Sequence, residues 1–204
     1  MRRTKAEAAE TREAILCCAE LIFFKKGLAH TTLEEIAKAA GVTRGAIYWH
    51  FQNKTDIFLE LFDKVRQPQQ TIIDLDALDS AEADALSFLE KISCNWLDAL
   101  VADEQHQRLL TILLRNNLAD DFAEIQAAKA ALEDEQIGIL TAVLERAEAQ
   151  RILDPAWSVH SAATAFRWLM KGMSWEWLLS MHAFDLPTEG KKAVRTFLKT
   201  LRKP

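Results

Sequence analysis

Residues 32–51 read Thr-Leu-Glu-Glu-Ile-Ala-Lys-Ala-Ala-Gly-Val-Thr-Arg-Gly-Ala-Ile-Tyr-Trp-His-Phe, and this stretch predicts two short helices joined by a tight turn. Thr32 and Glu35 have the spacing of a capping box, which predicts that the first helix begins here. Gly41 can adopt the left-handed conformation that ends a helix. Ile47 supplies the apolar contact of the second helix. A helix-turn-helix of this kind can place its second helix in the major groove of DNA.

The second predicted helix presents polar and aromatic side chains whose chemistry suits DNA. Arg44 can donate to guanine or to phosphate, while Thr43 and Tyr48 can donate to phosphate oxygens. Trp49 and His50 can pack on sugar or donate. These five residues are therefore the predicted DNA contacts of the helix.

A further helix is predicted to begin directly after this unit. Asn53 can cap it, and Lys54 at its N-terminus is a predicted phosphate ligand. The alternative, an ordinary helical hairpin with aromatic core residues, is disfavoured because the cap, the turn glycine and the polar-aromatic face all agree.

The composition predicts an all-α protein. The chain has 204 residues, of which 50% are hydrophobic and 27% charged, with only six glycines and four prolines. Such a chain can bury a substantial helical core. We find neither an apolar run of about 18 residues nor a signal sequence, so we expect a cytoplasmic protein with no membrane partner.

The charge is distributed unevenly along the chain. The net charge is -5, yet residues 1–66 contain 11 Lys and Arg against 9 Asp and Glu, and the remainder contains 14 against 21. The positive balance therefore lies at the end of the chain that is predicted to meet DNA phosphate.

No pattern in the sequence indicates an enzyme. The five histidines lack metal-ligand spacing, no Ser or Cys has a recognisable catalytic partner, and no glycine-rich phosphate loop is present. We therefore expect no cofactor and no metal. Cys17, Cys18 and Cys94 indicate neither disulfides nor zinc; buried free thiols are the favoured interpretation, and a redox role stays open. A protein that only organises DNA is disfavoured because a large second domain suggests signal input.

The helical pattern predicts two domains, a three-helix DNA-binding domain over 1–53 and a helical ligand-binding and dimerisation domain over 54–204. Residues 1–10 form a predicted basic arm before the first helix. Pro68 is predicted to end or kink the fourth helix, and an acidic, exposed connection follows over 67–90. Besides the two helices of the helix-turn-helix, the predicted helices cover residues 11–26, 54–67, 81–102, 106–117, 121–149, 156–182 and 188–202. Pro155 is predicted to mark the start of the helix over 156–182.

The helix over 156–182 carries two apolar stripes, so it must be covered on two sides. Phe166, Met170, Met173 and Trp177 form one stripe, which can close the core of the domain. The other stripe can pair with a second copy, together with the last helix. The predicted homodimer contacts are Gly172, Trp175, Leu179, Phe197 and Leu201.

Residues 31–54, together with the opening Arg-Arg-Thr-Lys-Ala-Glu-Ala-Ala-Glu-Thr-Arg, resemble the TetR family of bacterial repressors, especially members that control multidrug efflux pumps. The resemblance implies a homodimer of nine-helix, omega-shaped subunits that reads a palindromic DNA operator. It also implies that an effector bound in the C-terminal domain shifts the fourth helix and releases the DNA. The family positions match the DNA contacts predicted above, Lys54 included. The sequence departs from the efflux subgroup after Leu114.

The resemblance also implies a pocket for a small lipophilic effector. An apolar cavity with a few polar groups is predicted from residues that include flexible Met and flat Trp side chains. The candidates are Trp96, Thr111, Leu114, Arg115, Trp168, Met170 and Met173, and each can instead be a plain core or dimer residue. An alternative is a TetR-type activator or repressor of another pathway, with a different effector or none.

Overall fold

The structure is a computed structural model that describes residues 4–72, 84–115 and 123–203, of which residues 65–72 are described by their backbone alone. Within these ranges the elements are nine helices, which confirms the predicted all-α class. The only pairing of extended backbone in them is an isolated bridge between Leu153 and Arg202. The helices are α1 (Lys5–Lys26), α2 (Leu33–Ala39), α3 (Arg44–His50), α4 (Lys54–Ile72), α5 (Ala85–Ala102), α6 (Glu104–Arg115), α7 (Ala123–Ala149), α8 (Val159–Leu179) and α9 (Leu186–Leu201).

Local side-chain chemistry sets the helix ends around the predicted helix-turn-helix. Thr32 and Glu35 form the predicted capping box at the start of α2. Gly41 adopts the predicted left-handed conformation, with φ of 65°. The side chain of Asn53 accepts a hydrogen bond from the backbone N–H of Asp56 at 2.9 Å, which confirms it as a cap of α4. Each of these interactions spans only a few residues.

The start of α1 differs from the prediction. The helix begins at Lys5 rather than Thr11, because Thr4 and Glu7 form a capping box there. The arm predicted over 1–10 is therefore helical from residue 5 onward. Its two arginines, Arg2 and Arg3, lie outside the described residues.

The structure bears on two predictions based on prolines. Helix α4 does not end before Pro68 but continues to Ile72, so the predicted end is wrong, and the alternative of a kink stays a prediction. A proline inside a helix removes one backbone donor, at a cost of about 3 kcal/mol, which a long helix can absorb. Helix α8 does not start at Pro155, because Ser158 caps it in a capping box with Ser161. The proline at the first turn of a helix is instead in α9.

Residue contacts divide the chain into two compact units, the first of residues 1–66 and 108–129, the second of 67–107 and 130–204. In the first unit α2 packs against both α1 and α3. The predicted domain boundary between residues 53 and 54 stays a prediction, since contact units and functional domains need not coincide. Of the acidic connection predicted over 67–90, residues 73–83 lie outside the described ranges. The prediction is wrong for the described remainder, because residues 67–72 belong to α4 and 85–90 to α5, where Leu86 and Leu89 are buried.

In the second unit α9 packs against α5 and α8. Gly190 lets α5 and α9 approach closely, since an added Cβ would meet the Leu97 side chain at 3.0 Å. Ion pairs flank this contact, among them Lys191 with Asp98 at 2.6 Å and Arg195 with Glu90 at 2.9 Å. The α5–α9 pair is thus an apolar seam with charged edges.

Candidate functional sites

Helix α3 is a short helix held by one buried anchor. Ile47 is fully buried, and Phe51, which follows the helix, is also buried. Thr43 caps the N-terminus, with its hydroxyl accepting from the N–H of Ala46 at 3.2 Å. Because the anchor fixes one face of the helix, the opposite face is turned to solvent.

The outward face of α3 brings together the predicted DNA contacts. Trp49 is 72% exposed and Tyr48 is exposed. Arg44 donates a hydrogen bond to the Tyr48 hydroxyl at 3.4 Å, and its guanidinium lies 5.6 Å from the centre of that ring. His50 packs edge-on to Trp49 with ring centres 4.6 Å apart. These groups can reach phosphate, sugar or base edges, and their contacts with DNA stay a prediction.

An ion pair ties α2 to α1. The Glu35 carboxylate accepts from the Lys26 ammonium and, at 2.9 Å, from the backbone N–H of Thr32. The hydrogen bond from Lys26, followed by those from Thr32, lowers the pKa of Glu35 to about 2. The carboxylate is therefore ionised throughout the physiological range, where it can serve both the cap and the ion pair.

Helix α4 is tied to α1 by a second set of charges. Arg12 forms an ion pair with Glu60, and its guanidinium lies 4.7 Å from the centre of the Phe51 ring. Lys64 and Glu13 form a further pair at 2.6 Å. The helices around α3 are thereby braced on two sides.

Lys54 makes contacts that the sequence did not predict. Its ammonium donates to the backbone carbonyls of Leu28 at 2.9 Å, Ala29 at 3.1 Å and Thr31 at 3.3 Å. These acceptors lie in the turn between α1 and α2. The predicted phosphate contact of Lys54 stays a prediction, now beside an intramolecular role that the geometry establishes.

A buried ion pair in the first unit also escaped prediction. The side chain of Glu20 in α1 is only 2% exposed, and its carboxylate accepts from Nε of Arg108 in α6 at 2.7 Å. Glu20 lies on the same face of α1 as the buried Leu16 and Phe23. The position of Glu20 on the apolar face of α1 could have indicated a buried ion pair, because a buried carboxylate needs a partner. The sequence could not identify Arg108 as that partner.

Three of the predicted ligand residues lie in α6, in the first unit. Thr111 is buried and Leu114 is half-buried. Arg115 is exposed, and its guanidinium lies 5.5 Å from the centre of the Phe24 ring. Contact with an aromatic ring is a favourable site for a cation, so this arginine is already engaged in the free chain.

The remaining ligand candidates lie in the second unit. Trp96, Met170 and Met173 are half-buried. Trp168 is instead 65% exposed. The predicted set is thus divided between the two units, and its convergence on one pocket stays a prediction.

Helix α8 carries one covered and one open stripe, as its sequence predicts. Phe166 and Trp177 are buried, whereas Trp168, Trp175 and Leu179 are between 41 and 65% exposed. Gly172 lies in the open stripe, and a Cβ added to it would meet nothing within 4 Å. We call Trp168, Gly172, Trp175 and Leu179 the open stripe; it contains three of the predicted dimer residues and one predicted ligand residue.

Of the two dimer candidates in α9, one is buried within the chain and the other is half-buried. Leu201 is fully buried. Phe197 packs between Trp157 and Phe166, with ring centres 5.7 and 5.8 Å away. The side chain of Leu201 therefore belongs to the core of the subunit and leaves no surface for a partner, and that of Phe197 leaves little.

The described residues offer no group of three or more His, Cys, Asp and Glu arranged to hold a metal ion. No helix among them is long and apolar enough to cross a membrane. The predicted burial of the thiols is wrong for Cys17, which is exposed, whereas Cys18 and Cys94 are half-buried. Burial raises the pKa of Cys18 and of Cys94. A raised pKa disfavours the reactive thiolate, and a redox role for any of the three stays untested.

Comparison with known proteins agrees with this arrangement. Residues 15–61 match the family described as bacterial regulatory proteins of the tetR family, and residues 84–203 match the C-terminal region of MAATS-type transcriptional repressors. The transcriptional repressor BepR of Brucella suis is 38% identical over 205 residues, which cover 100% of this chain and 98% of BepR.

Solved structures are similar along nearly the whole chain. NalD, the secondary repressor of the MexAB-OprM multidrug efflux pump in Pseudomonas aeruginosa, is 32% identical with a TM-score of 0.85, covering 98% of this chain and 99% of NalD. SmeT of Stenotrophomonas maltophilia in complex with triclosan is 27% identical with a TM-score of 0.81, covering 95% and 92%. The chain is a transcriptional regulator rather than an enzyme, and it belongs to the TetR family.

Proposed function

We propose that the chain is a ligand-responsive repressor of a multidrug efflux operon that binds a palindromic operator as a homodimer in the cytoplasm. The observation that carries the proposal is the outward face of α3, where Arg44 and Tyr48 are exposed on a helix held by Ile47. NalD, which is similar over almost the whole chain, is a repressor of an efflux pump.

The reading of DNA rests on the second helix of the helix-turn-helix, which is α3. Arg44 can make a bidentate contact with guanine, and Thr43 and Tyr48 can donate to phosphate. Trp49 exposes a large apolar surface to water, which is unfavourable. A sugar or a base methyl group of DNA would cover this surface.

Dimerisation rests on the open stripe of α8. Three large apolar side chains lie exposed along one face of a helix, and Gly172 leaves room for close approach of another helix. A second copy of the same stripe across a two-fold axis would cover them. Two subunits would then present two α3 helices to the two halves of a palindromic operator.

The proposed effector is a small lipophilic molecule; SmeT, a similar protein, has been solved in complex with triclosan. Its binding in the C-terminal part of the chain would disfavour the DNA-binding arrangement. A ligand shifts such an equilibrium only by the difference between its affinities for the two arrangements, so release from DNA is the appropriate readout.

The test is fluorescence anisotropy of the purified chain with labelled DNA from upstream of its own gene. Titrations are run with and without triclosan and a panel of lipophilic cations, dyes and antibiotics. The expected result is specific binding by two subunits that some of these compounds release. Specific binding that no compound affects would overturn the ligand-responsive part of the proposal, and only nonspecific binding to efflux-operon promoters would overturn the efflux assignment.

Variants separate the two surfaces. Arg44→Ala should abolish most of the preference for operator over unrelated DNA, whereas Lys25→Ala, which removes an exposed charge from α1, should not. Trp175→Glu should give monomers in sedimentation and weaken operator binding by orders of magnitude. The control Leu21→Glu, at an exposed apolar position of α1, should leave the dimer intact. A dimeric Trp175→Glu protein would refute the proposed interface.

A further inference from the structure

Lys54 is the first residue of α4, and its ammonium contacts three backbone carbonyls. The acceptors are the oxygens of Leu28, Ala29 and Thr31, at 2.9, 3.1 and 3.3 Å. An ammonium group has three N–H donors and no acceptor. The three contacts therefore engage the ammonium with backbone carbonyls of one turn.

The carbonyls converge because the turn between α1 and α2 is closed on itself. Gly27 ends α1 with φ of 82°, and its N–H donates to the carbonyl of Phe23. Thr31 donates from its hydroxyl to the Gly27 carbonyl at 2.7 Å and from its N–H to the Leu28 carbonyl at 3.3 Å. Leu28 and Thr31 are both buried. The acceptors are thus held in place by hydrogen bonds within the turn itself.

This contact joins the two ends of the helix-turn-helix. Thr31 directly precedes Thr32, which caps α2, and Lys54 directly follows Asn53, which caps α4. Helices α2 and α3 lie in the chain between these two points. The ammonium therefore closes a loop of chain that contains the whole reading unit.

A direct phosphate contact by Lys54 would compete with these bonds. Each phosphate oxygen it bound would take a donor that now serves a carbonyl. The same side chain is thus poorly placed to serve as turn lock and phosphate ligand together.

We propose that Lys54 is a positioning residue, which promotes operator binding by locking the α1–α2 turn to the start of α4 and thereby setting the pose of α3. The proposal rests on the proposed operator binding for its effect on DNA, but the lock itself is a property of the free protein. A positioning residue affects sequence preference, whereas a phosphate ligand affects binding to every sequence and its salt dependence.

The test compares the full-length chain with Lys54→Met and Lys54→Arg, and with Lys25→Met as a control for loss of one exposed charge. Affinities for the operator fragment and for a scrambled duplex of equal length are measured over a series of salt concentrations. For Lys54→Met we expect the operator-to-scrambled ratio to fall about tenfold or more, as loss of one base contact would cause, while the salt slope stays unchanged. Lys54→Arg should not restore the ratio, because a wide planar guanidinium cannot replace an ammonium among the three carbonyls.

The opposite pattern would overturn the proposal. A phosphate ligand predicts a salt slope smaller by roughly 1 for each lysine lost, an unchanged ratio, and rescue by Lys54→Arg. An unchanged ratio and slope in Lys54→Met would show that the lysine has neither role.

A measurement without DNA separates this proposal from the proposed function. In the free protein, nitrogen-15 NMR should detect a protected Lys54 ammonium, and amide exchange at Thr31 should accelerate in Lys54→Met but not in Lys25→Met. A freely exchanging ammonium would refute the lock even where operator binding is strong. A protected ammonium in a protein that binds no operator would instead refute the proposed function and support the contact between Lys54 and the turn.

Discussion

Replacing Arg108 with methionine should destabilise the first unit more than the loss of an exposed ion pair would. The substitution removes the Arg108 guanidinium from Glu20, whose carboxylate is only 2% exposed and lies 2.7 Å from Nε of Arg108. Loss of one member of a buried pair costs about 3–5 kcal/mol, because the remaining buried charge loses that compensation. Arg108 is 29% exposed, so water can approach the pair from its side. We therefore expect a loss near the lower limit, about 3 kcal/mol.

Urea unfolding followed by circular dichroism measures this loss. The matched control is Arg195→Met, which breaks the 2.9 Å pair with Glu90, where both side chains are at least 40% exposed; its expected cost is at most about 1 kcal/mol. The double variant Glu20→Leu with Arg108→Met should recover much of the loss, since it removes both charges. A loss of less than about 1 kcal/mol in Arg108→Met, or a double variant less stable than the single one, would refute the argument from burial.

Three further predictions concern pH and backbone conformation. The hydrogen bond from Lys26 holds the pKa of Glu35 at about 2, below its ordinary value of 4.5. The ionised Glu35 carboxylate should therefore stabilise the fold fully above pH 4.5, and this stabilisation should be lost as the pH falls towards 2. Glu35→Gln should flatten this part of the acid unfolding profile. Burial lowers the pKa of His106, so its protonation is less favourable in the folded than in the unfolded chain. Stability should therefore decline as the pH falls below the ordinary histidine value, and His106→Leu should remove that decline in urea titrations across this range. Gly41→Ala, at φ of 65°, should cost about 1–2 kcal/mol, whereas Gly138→Ala, in a helix with open space around its Cβ, should gain up to about 1 kcal/mol in thermal unfolding.

Features that depend on neighbouring residues could be predicted from the sequence. The capping box of Thr32 and Glu35 spans three residues, and Gly41 ends α2 through its own conformational freedom. The same local reasoning failed at Pro155, because Ser158 offered a better cap three residues later. Where two local signals compete, their energies differ by about 1 kcal/mol, and a pattern alone does not rank them.

Features that depend on distant residues could not be predicted. The acceptors of Lys54 lie 23 to 26 positions earlier in the chain, and the partner of Glu20 lies 88 positions later. Periodicity identified two apolar stripes on α8 but could not decide which predicted residues the chain itself covers. Trp168, predicted for a pocket, is exposed, and Leu201, predicted for an interface, is buried. Both cases are decided by how α8 and α9 pack, not by their own sequences.

If the predicted ligand residues of α6 bind an effector, we expect α6 to pass its displacement on to α1. Arg108 of α6 is tied to Glu20 of α1 by the buried ion pair. Thr111 lies one turn further along and Arg115 two turns further, and both are predicted ligand residues. Within two turns a helix is effectively rigid, so a ligand that displaced Thr111 by about 1 Å would displace Arg108 by a similar distance. Separating the pair would leave the buried Glu20 carboxylate without the compensating charge of Arg108, which is unfavourable. Helix α1 should therefore follow α6, and α1 carries the residues that brace α2 and α4 around the reading helix.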